Sequence, residues 1–495
     1  MSAQKHAALG LLAALGLLAE AGVAQAGGFE VPDNGTEAFG RGGAFVAKSD
    51  DGTAIYYNPA GLARQRGTRL LATGNLHFHS FEFQRSGVYP DDPTDPATPW
   101  GGQPFPLVKN TGGPILSPFV AVSSDFQYFD RLTVAVGVFG PPTVRNRTFP
   151  FAVNGMPSPA RYDTIQSRST IAYPTLAAGF RVTPWLDIGL SAHLVLVDVG
   201  LTRASYSEIS PGQCKNVEYQ PCDARNVVDG KGTSVAGTLG ALVRPNKHVA
   251  IGASLRSPVS VETEGTLYPT APRLLAGSDV FPGRALVTTD LPWIARLGAR
   301  YIGFDGKTER YDIELDGTYE TWGTAQAEGP RILVPDGLGP LVKRVDAIIA
   351  HYYNDTFSVR LGGAYNFDVG GGVLALRAGG FFDSSASDAA YTRIDADTLA
   401  KVAGTAGFGY KHGPVGLDFA YGAVSSLSRT VEPGVGRLRP VNGAKEGATV
   451  DGAGQLLPAV NDGTYRGFTH TLSVGLRIHF DEFFGPPRTG TYDQP

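Results

Sequence analysis

Charged side chains are scarce in this sequence, but a few recur at a spacing that could do chemistry. Arg296 and Arg300 lie four apart, and Asp312, Glu314, Asp316 and Glu320 follow at even intervals. In extended chain, residues two apart point to the same side, so each set lines one face. If the two segments form a hairpin, cations and carboxylates oppose each other and pair across it. Arg360 and Arg377, on the next two alternating segments, extend the ladder. Two roles are open to such a ladder. It can brace a polar interior and hold a segment inside it, or one Arg can grip a ligand carboxylate with paired N–H donors. Asp33, Arg41, Asp50, Asp51 and Arg64, nearer the N-terminus, are available to join it.

Other reactive residues form no constellation. His77 and His79 share one face of an alternating segment, but no third metal ligand accompanies them, and a structural role facing the interior is favoured. Cys214 and Cys222 are the only cysteines and sit in a polar loop of an exported chain, which favours a local disulfide over a metal site. There is no nucleophile elbow, His-Glu-x-x-His or phosphate loop. Gly407-x-Gly409 lacks the rest of a dinucleotide fingerprint. We therefore expect no enzyme activity, no cofactor and no metal. With a net charge of −4 and no basic run, no nucleic-acid partner is expected either.

The elements that position these residues begin with a targeting segment. Lys5 and His6 precede an apolar run, Ala7 to Ala19, and Ala24-Gln25-Ala26 offers small residues for a signal peptidase. The expected domains are a signal peptide over 1–26, an inner segment over 27–67, a barrel over 68–480 and a C-terminal periplasmic tail over 481–495. The alternative for the start is a retained amphipathic helix. The apolar run is too short to span a bilayer, which takes about 20 residues.

After Gly67 the pattern has a period of two. Phe468, His470, Leu472, Val474, Leu476, Ile478 and Phe480 fall on one face, and Thr469, Thr471, Ser473, Gly475, Arg477 and His479 on the other. Similar runs recur, and the connections between them alternate short and long. Short turns at one end and long loops at the other are the arrangement of an outer-membrane barrel. Counting runs gives fourteen strands, beginning near Thr68, Ile115, Leu132, Thr170, Trp185, Lys231, His248, Arg284, Thr308, Leu341, Val373, Val402, Val415 and Tyr465. The fold class expected is all-β: a 14-stranded antiparallel transmembrane barrel. Residues 27–67 do not alternate and are too few to fold alone. They are expected to plug the lumen as a hatch, the alternative being a disordered periplasmic arm.

Within that stretch, Gly40-Arg41-Gly42-Gly43-Ala44, Asp50-Asp51 and Tyr57-Asn58-Pro59-Ala60-Gly61-Leu62 resemble the N-terminal signature of the FadL/TodX family of outer-membrane transporters for long-chain fatty acids and other hydrophobic compounds. Leu255-Arg256-Ser257-Pro258-Val259 and Leu376-Arg377-Ala378-Gly379 are similar to recurring family segments. The resemblance implies a plugged fourteen-stranded barrel and passive uptake of hydrophobic ligands. It also implies a kinked third strand that opens the wall sideways. Hatch gating would then involve Phe29, Arg41, Asn58, Pro59, Ala60 and Gly61, and the lateral opening Gly137, Phe139 and Gly140. The Pro141-Pro142 pair can break pairing there or merely end the strand. Phe105, Pro106, Leu107, Phe149 and Phe151 are expected to collect ligand in the long loops. The expected partners are a hydrophobic ligand such as a fatty acid, outer-membrane lipid and the barrel-assembly machinery, with the chain a monomer. Uptake of aromatic hydrocarbons by the same barrel, a barrel enzyme, and a structural or adhesive barrel are the competing functions. The tail after Phe480 departs from the usual terminal aromatic.

Overall fold

The structure is a computed structural model that describes residues 34–90, 99–140, 146–206, 217–272, 280–340, 342–440 and 457–484. The expected signal peptide, Phe29 and Asp33 lie outside these residues. Fourteen antiparallel strands close into a barrel. They are β1 (Arg69–Arg85), β2 (Ile115–Ser124), β3 (Leu132–Phe139), β4 (Gln166–Arg181), β5 (Leu186–Tyr206), β6 (Asp223–Asn246), β7 (Val249–Arg256, continuing as Val259–Thr270) and β8 (Gly283–Leu291, continuing as Ile294–Asp305). β9 (Thr308–Glu320), β10 (Thr356–Val369), β11 (Gly372–Asp383), β12 (Lys401–His412), β13 (Val415–Val431) and β14 (Gly463–His479) complete the wall. β14 returns to β1 from Arg69↔His479 to Arg85↔Gly463. Closure leaves no open edge, which is the condition for strands to cross lipid. Among the described residues no helix is long and apolar enough to do so.

The alternation is inverted relative to a soluble sheet. On β14, Phe468, Leu472 and Val474 are exposed on the outside, while Thr469, Thr471 and Ser473 are buried inside. On β3, Val136 and Val138 face out, and Ala135 and Phe139 face in. An apolar outer face around a polar interior is stable only with lipid outside. Aromatic rings edge the apolar band. Tyr301, Tyr311 and Tyr365 form a row near the short turns, with centroids 6.4 and 6.5 Å apart, and Tyr319 and Phe357 stand near the other end of the same strands. From Tyr311 to Tyr319 the chain climbs roughly 26 Å at ~3.3 Å per residue, or about 20 Å of height at the usual strand tilt.

Two strands differ from expectation: the sixth begins at Asp223, eight residues before Lys231. The tenth strand begins at Thr356, not near Leu341. Arg331–Val334 and Val345–Ile348 instead form a hairpin that pairs with β8 at the long-loop end. Alternation marks a strand but does not name its partner. Arg331 and Asp346 pair at 2.6 Å on this hairpin and are exposed, as fits a segment above the lipid.

Residues 34–67 lie inside the barrel and are almost entirely buried. They form α1 (Thr36–Gly40), α2 (Ala54–Tyr57) and a 3-10 turn over Pro59–Arg64. Past the last strand, Asp481–Phe484 make a helical turn across the short-turn end. Asp481 accepts hydrogen bonds from the Thr68 N–H at 2.5 Å and the Gln127 side chain at 2.6 Å.

Candidate functional site

The Asn58-Pro59-Ala60-Gly61 turn is seated on a row of glycines. Gly179, Gly189 and Gly240 are neighbours in register across β4, β5 and β6. A Cβ on Gly189 would fall 2.2 Å from the Pro59 carbonyl carbon, and one on Gly240 the same distance from Asn58 Oδ1. Only glycine permits so close a backbone approach. Asn58 holds the turn from both sides. Its Nδ2 donates to the carbonyls of Val46 and Ala241, each at 3.0 Å, and its Oδ1 accepts the Ala60 N–H at 3.2 Å. Pro59 stands at the first helical position, where its missing N–H costs nothing. Gly61 passes against Ser49, whose carbonyl oxygen would lie 1.9 Å from an added Cβ.

The expected charge ladder converges on this inner segment. Arg41, fully buried, pairs with Asp312 at 2.5 Å and Glu314 at 3.4 Å. Arg300 shares Asp312 at 2.9 Å. Glu314 accepts the Ala47 N–H at 2.6 Å, and Asp316 accepts those of Phe45 and Val46 at 2.7 and 3.0 Å. Glu37 bonds Arg377 and Arg477, each at 2.9 Å, and Asp418 joins the same pair of cations. Arg64 holds Asp187 at 2.7 Å. Burial alone would raise the Glu37 carboxyl, but Arg377, Lys48 and Arg477 prevail and hold it well below the usual carboxylate range. Asp51 goes the other way: burial and the charge of Glu37 push it up to about 6.

Two cations of the ladder stand apart. Arg360 turns from the inner segment to Asp383 at 3.1 Å and lies over the Phe381 ring. Arg296 is buried, its Nη1 has no hydrogen-bond partner, and no carboxylate among the described residues pairs with it. Its guanidinium sits 4.7 Å from the centroid of the Tyr56 ring.

Tyr56 belongs to an apolar cluster that runs through the lumen. Trp322, Tyr353 and Ala386 form its long-loop end; Val195, Val259 and Leu291 its middle; and Ile55, Tyr56 and Leu62 its floor. Phe139 ends β3 in this cluster, 5.2 Å from Tyr173, 5.4 Å from Tyr56 and 5.8 Å from Phe119 between centroids. Phe119↔Phe139 is also the last rung between β2 and β3, although β2 runs on to Ile115. On its other side β3 pairs β4 as far as Phe139↔Tyr173, and the ladder resumes out of phase at Arg147↔Ser167. Pro141 and Pro142 lie outside the described residues. Gly137 faces the inner segment: a Cβ there would meet Ile55 Cδ1 at 2.6 Å. Gly140 abuts the Ile171 carbonyl oxygen, 3.0 Å from where a Cβ would stand.

The loop expectation needs correction. Phe149 is buried in a cluster with Phe81, Phe83 and Tyr465, Phe105 is buried against Tyr89 and Arg85, and only Leu107 and Phe151 are exposed. Apolar residues in long loops build the loops' own cores first. His77 and His79 bond Thr471 and Thr469 at 2.9 and 2.7 Å, and no metal cluster occurs among the described residues. Cys222 is buried, while Cys214, its expected disulfide partner, lies outside the described residues. Sequence reading overlooked the glycine row, Glu37 and the Tyr56–Phe139–Tyr173 cluster. The signal for the row was the inward phase of Gly189 and Gly240 on their strands.

A closed barrel with an apolar outer face and a polar lumen defines the class of outer-membrane β-barrels. The chain belongs to the outer membrane protein transport family described as OMPP1/FadL/TodX, whose profile matches residues 17–455. This is a family of transport channels, not of enzymes. Among solved structures, a Pseudomonas aeruginosa FadL homologue is similar at a TM-score of 0.69 and 16 % identity, over 92 % of this chain and 100 % of that one. The P. putida toluene transporter TodX is similar at 0.61 and 14 %, over 91 % and 99 %. The CymD monoaromatic hydrocarbon channel is similar at 0.62 and 13 %, over the same shares. No curated relative matches the chain at a significant level.

Proposed function

We propose that the protein takes up long-chain fatty acids by passive diffusion, with residues 27–67 as the hatch and a sideways exit through the wall beside Phe139. The carrying observation is the apolar cluster that runs from Trp322 to Phe139 and ends where the β2–β3 ladder stops. Hydrophobic ligand descends this path because apolar surface is its favourable environment. Below it the hatch, anchored through Arg41 and the Asn58–Gly61 turn, blocks the straight route to the periplasm. Displacement of Phe139 and Tyr56 would open the wall at Gly137–Gly140. The signal peptide, assembly by the barrel machinery and a monomeric state complete the reading. The second reading is uptake of monoaromatic hydrocarbons, favoured by the aromatic lining at Tyr56, Phe119, Phe139 and Tyr173.

The test is uptake by liposomes holding the purified protein, with labelled oleate set against labelled toluene. Oleate entry above empty liposomes supports the first reading, and toluene entry alone supports the second. For the exit route, Pro118→Cys and Gly140→Cys place thiols at the next rung beyond Phe119↔Phe139. Oxidation should stop uptake and reduction restore it. Uptake that continues with the staple formed refutes a sideways exit at this point.

A further inference from the structure

The wall has a second interruption beside Phe139, one strand further on. β4 pairs β5 from Gln166↔Thr202 to Ala172↔Leu196 and again from Thr175↔His193, in the same register, but Tyr173 and Pro174 in between make no rung with Val195 and Leu194. Pro174 stands in mid-strand, where it has no N–H to give a ladder. Tyr173 is also the last rung of β3, opposite Phe139. One residue thus ends the β3 ladder and begins the gap between β4 and β5. A chain of side-chain hydrogen bonds bridges that gap from the lumen. The Thr175 hydroxyl donates to the Tyr173 carbonyl at 3.0 Å and meets His193 Nδ1 at 2.8 Å. A hydroxyl has one proton, and here it is committed to the carbonyl. His193 Nδ1 therefore carries a proton and donates, and Nε2 accepts from the Thr238 hydroxyl on β6 at 2.9 Å.

We propose that Tyr173-Pro174 is a hinge in β4 and that His193, acting through Thr175, is the positioning residue that holds it shut. The proposal rests on the sideways-exit reading above and names the restraint on its moving part. Pro174 supplies the freedom: β4 can bend there with no rung to β5 to break. His193 supplies the restraint in two ways. Its hydrogen bonds run in one direction, from Thr238 on β6 through Thr175 to the Tyr173 carbonyl, and so tie the gap to two intact strands. Its ring stands edge-on to both members of the stacked pair, 5.8 Å from Phe139 at 84° and 5.9 Å from Tyr173 at 89° between centroids, a favoured aromatic geometry. Phe139 and Tyr173 themselves lie 5.2 Å apart at 9°. Loss of the chain frees Tyr173 to swing with the upper part of β4, and Phe139 loses the surface against which it closes.

The experiment measures oleate and toluene uptake by liposomes holding wild type, Thr175→Val, Thr175→Ser, His193→Leu, the Thr175→Val/His193→Leu double variant and Pro174→Ala. Heat-modifiable migration checks that each barrel is folded. Thr175→Val keeps the shape but not the hydroxyl, and should raise the maximal rate about fivefold, the worth of one ordinary hydrogen bond, with the half-saturating concentration unchanged. Thr175→Ser, which keeps the hydroxyl, should bring the rate back. His193→Leu should act in the same direction as Thr175→Val, and the double variant should be no faster than His193→Leu alone, because both residues belong to one chain. Pro174→Ala returns an N–H to the strand and should lower the rate; it carries the test if the other variants do not fold. Unchanged maximal rates in Thr175→Val and Pro174→Ala, or a rise that Thr175→Ser shares, overturn the proposal and leave uptake standing. Uptake that persists with the Pro118→Cys/Gly140→Cys staple closed overturns the sideways exit, and the hinge with it. Entry of neither compound in wild type overturns the uptake reading itself.

Discussion

Replacing Arg41 by Met should loosen the inner segment without unfolding the wall. The guanidinium is fully buried and bonds Asp312 through two nitrogens at 3.0 and 2.5 Å, with Glu314 at 3.4 Å. Removing one partner of a buried pair costs about 3–5 kcal/mol, because the other charge stays buried and uncompensated. Here Asp312 keeps Arg300 at 2.9 Å and Glu314 keeps its backbone N–H donors, so the low end applies. At about 3 kcal/mol the unseated population rises roughly 150-fold. The assay is trypsin cleavage after Lys48 and Arg64, followed by mass spectrometry, since slow cleavage tracks the open population. Heat-modifiable migration should stay normal, because β1–β14 keep their ladders. An Arg41→Met/Asp312→Leu double variant should recover part of the protection, as the charge left behind is then gone. A cleavage rate within threefold of wild type in Arg41→Met would refute the claim that this pair seats the segment.

Two further outcomes follow from the packing and the charges. Gly189→Ala places a methyl 2.2 Å from the Pro59 carbonyl carbon and should raise cleavage after Arg64, while Gly317→Ala, with nothing within 4 Å, should behave as wild type. Equal cleavage in both would refute close seating. Asp51 is raised to about 6 and so binds its proton more tightly folded than unfolded. Its contribution to stability therefore falls as pH rises from about 4 to 6. The inner segment should be better protected at pH 5 than at pH 7, and Asp51→Asn, which keeps an acceptor for Thr53, should flatten that difference. Glu37 has the opposite sign: its stabilisation is full above the ordinary carboxylate range and is lost only well below it, so it adds no slope between pH 5 and 7.

The wall was legible because lipid outside and polar lumen inside impose a strict period of two, visible even in β14 alone. Strand neighbours at hairpins were legible too, so Arg300 could be set opposite the β9 carboxylates. What Arg41 or Glu37 would meet was not, because those contacts join positions 271 and 340 residues apart. Nor could the pattern tell Arg296 from Arg300. Both alternate inward on one strand, and only the β8–β9 register, which sets Arg300 opposite Glu314 and Arg296 opposite Thr318, decides which of them meets a carboxylate. The hairpin at Arg331–Ile348 misled for a related reason: alternation persists above the lipid, where a strand can extend the wall without being part of its circuit.

The energies also bear on how a passive path could open. A ligand bound at micromolar affinity brings about 8 kcal/mol. Extracting the inner segment would break the pairs at Arg41, Glu37 and Arg64, at about 3 kcal/mol each, and expose Phe39, Phe45, Ile55 and Leu62, all fully buried, at about 2 kcal/mol each. Binding alone does not cover that. Parting Phe139 from Tyr56 and Tyr173 forfeits aromatic contacts of about 1 kcal/mol each, and β3 has no further rung with β2 to break beyond Phe119↔Phe139. The cheaper motion is therefore local and faces the wall. On this account ion-pair variants such as Arg41→Met add leak of small polar solutes but leave hydrophobic uptake intact, whereas changes at Phe139 alter uptake without leak.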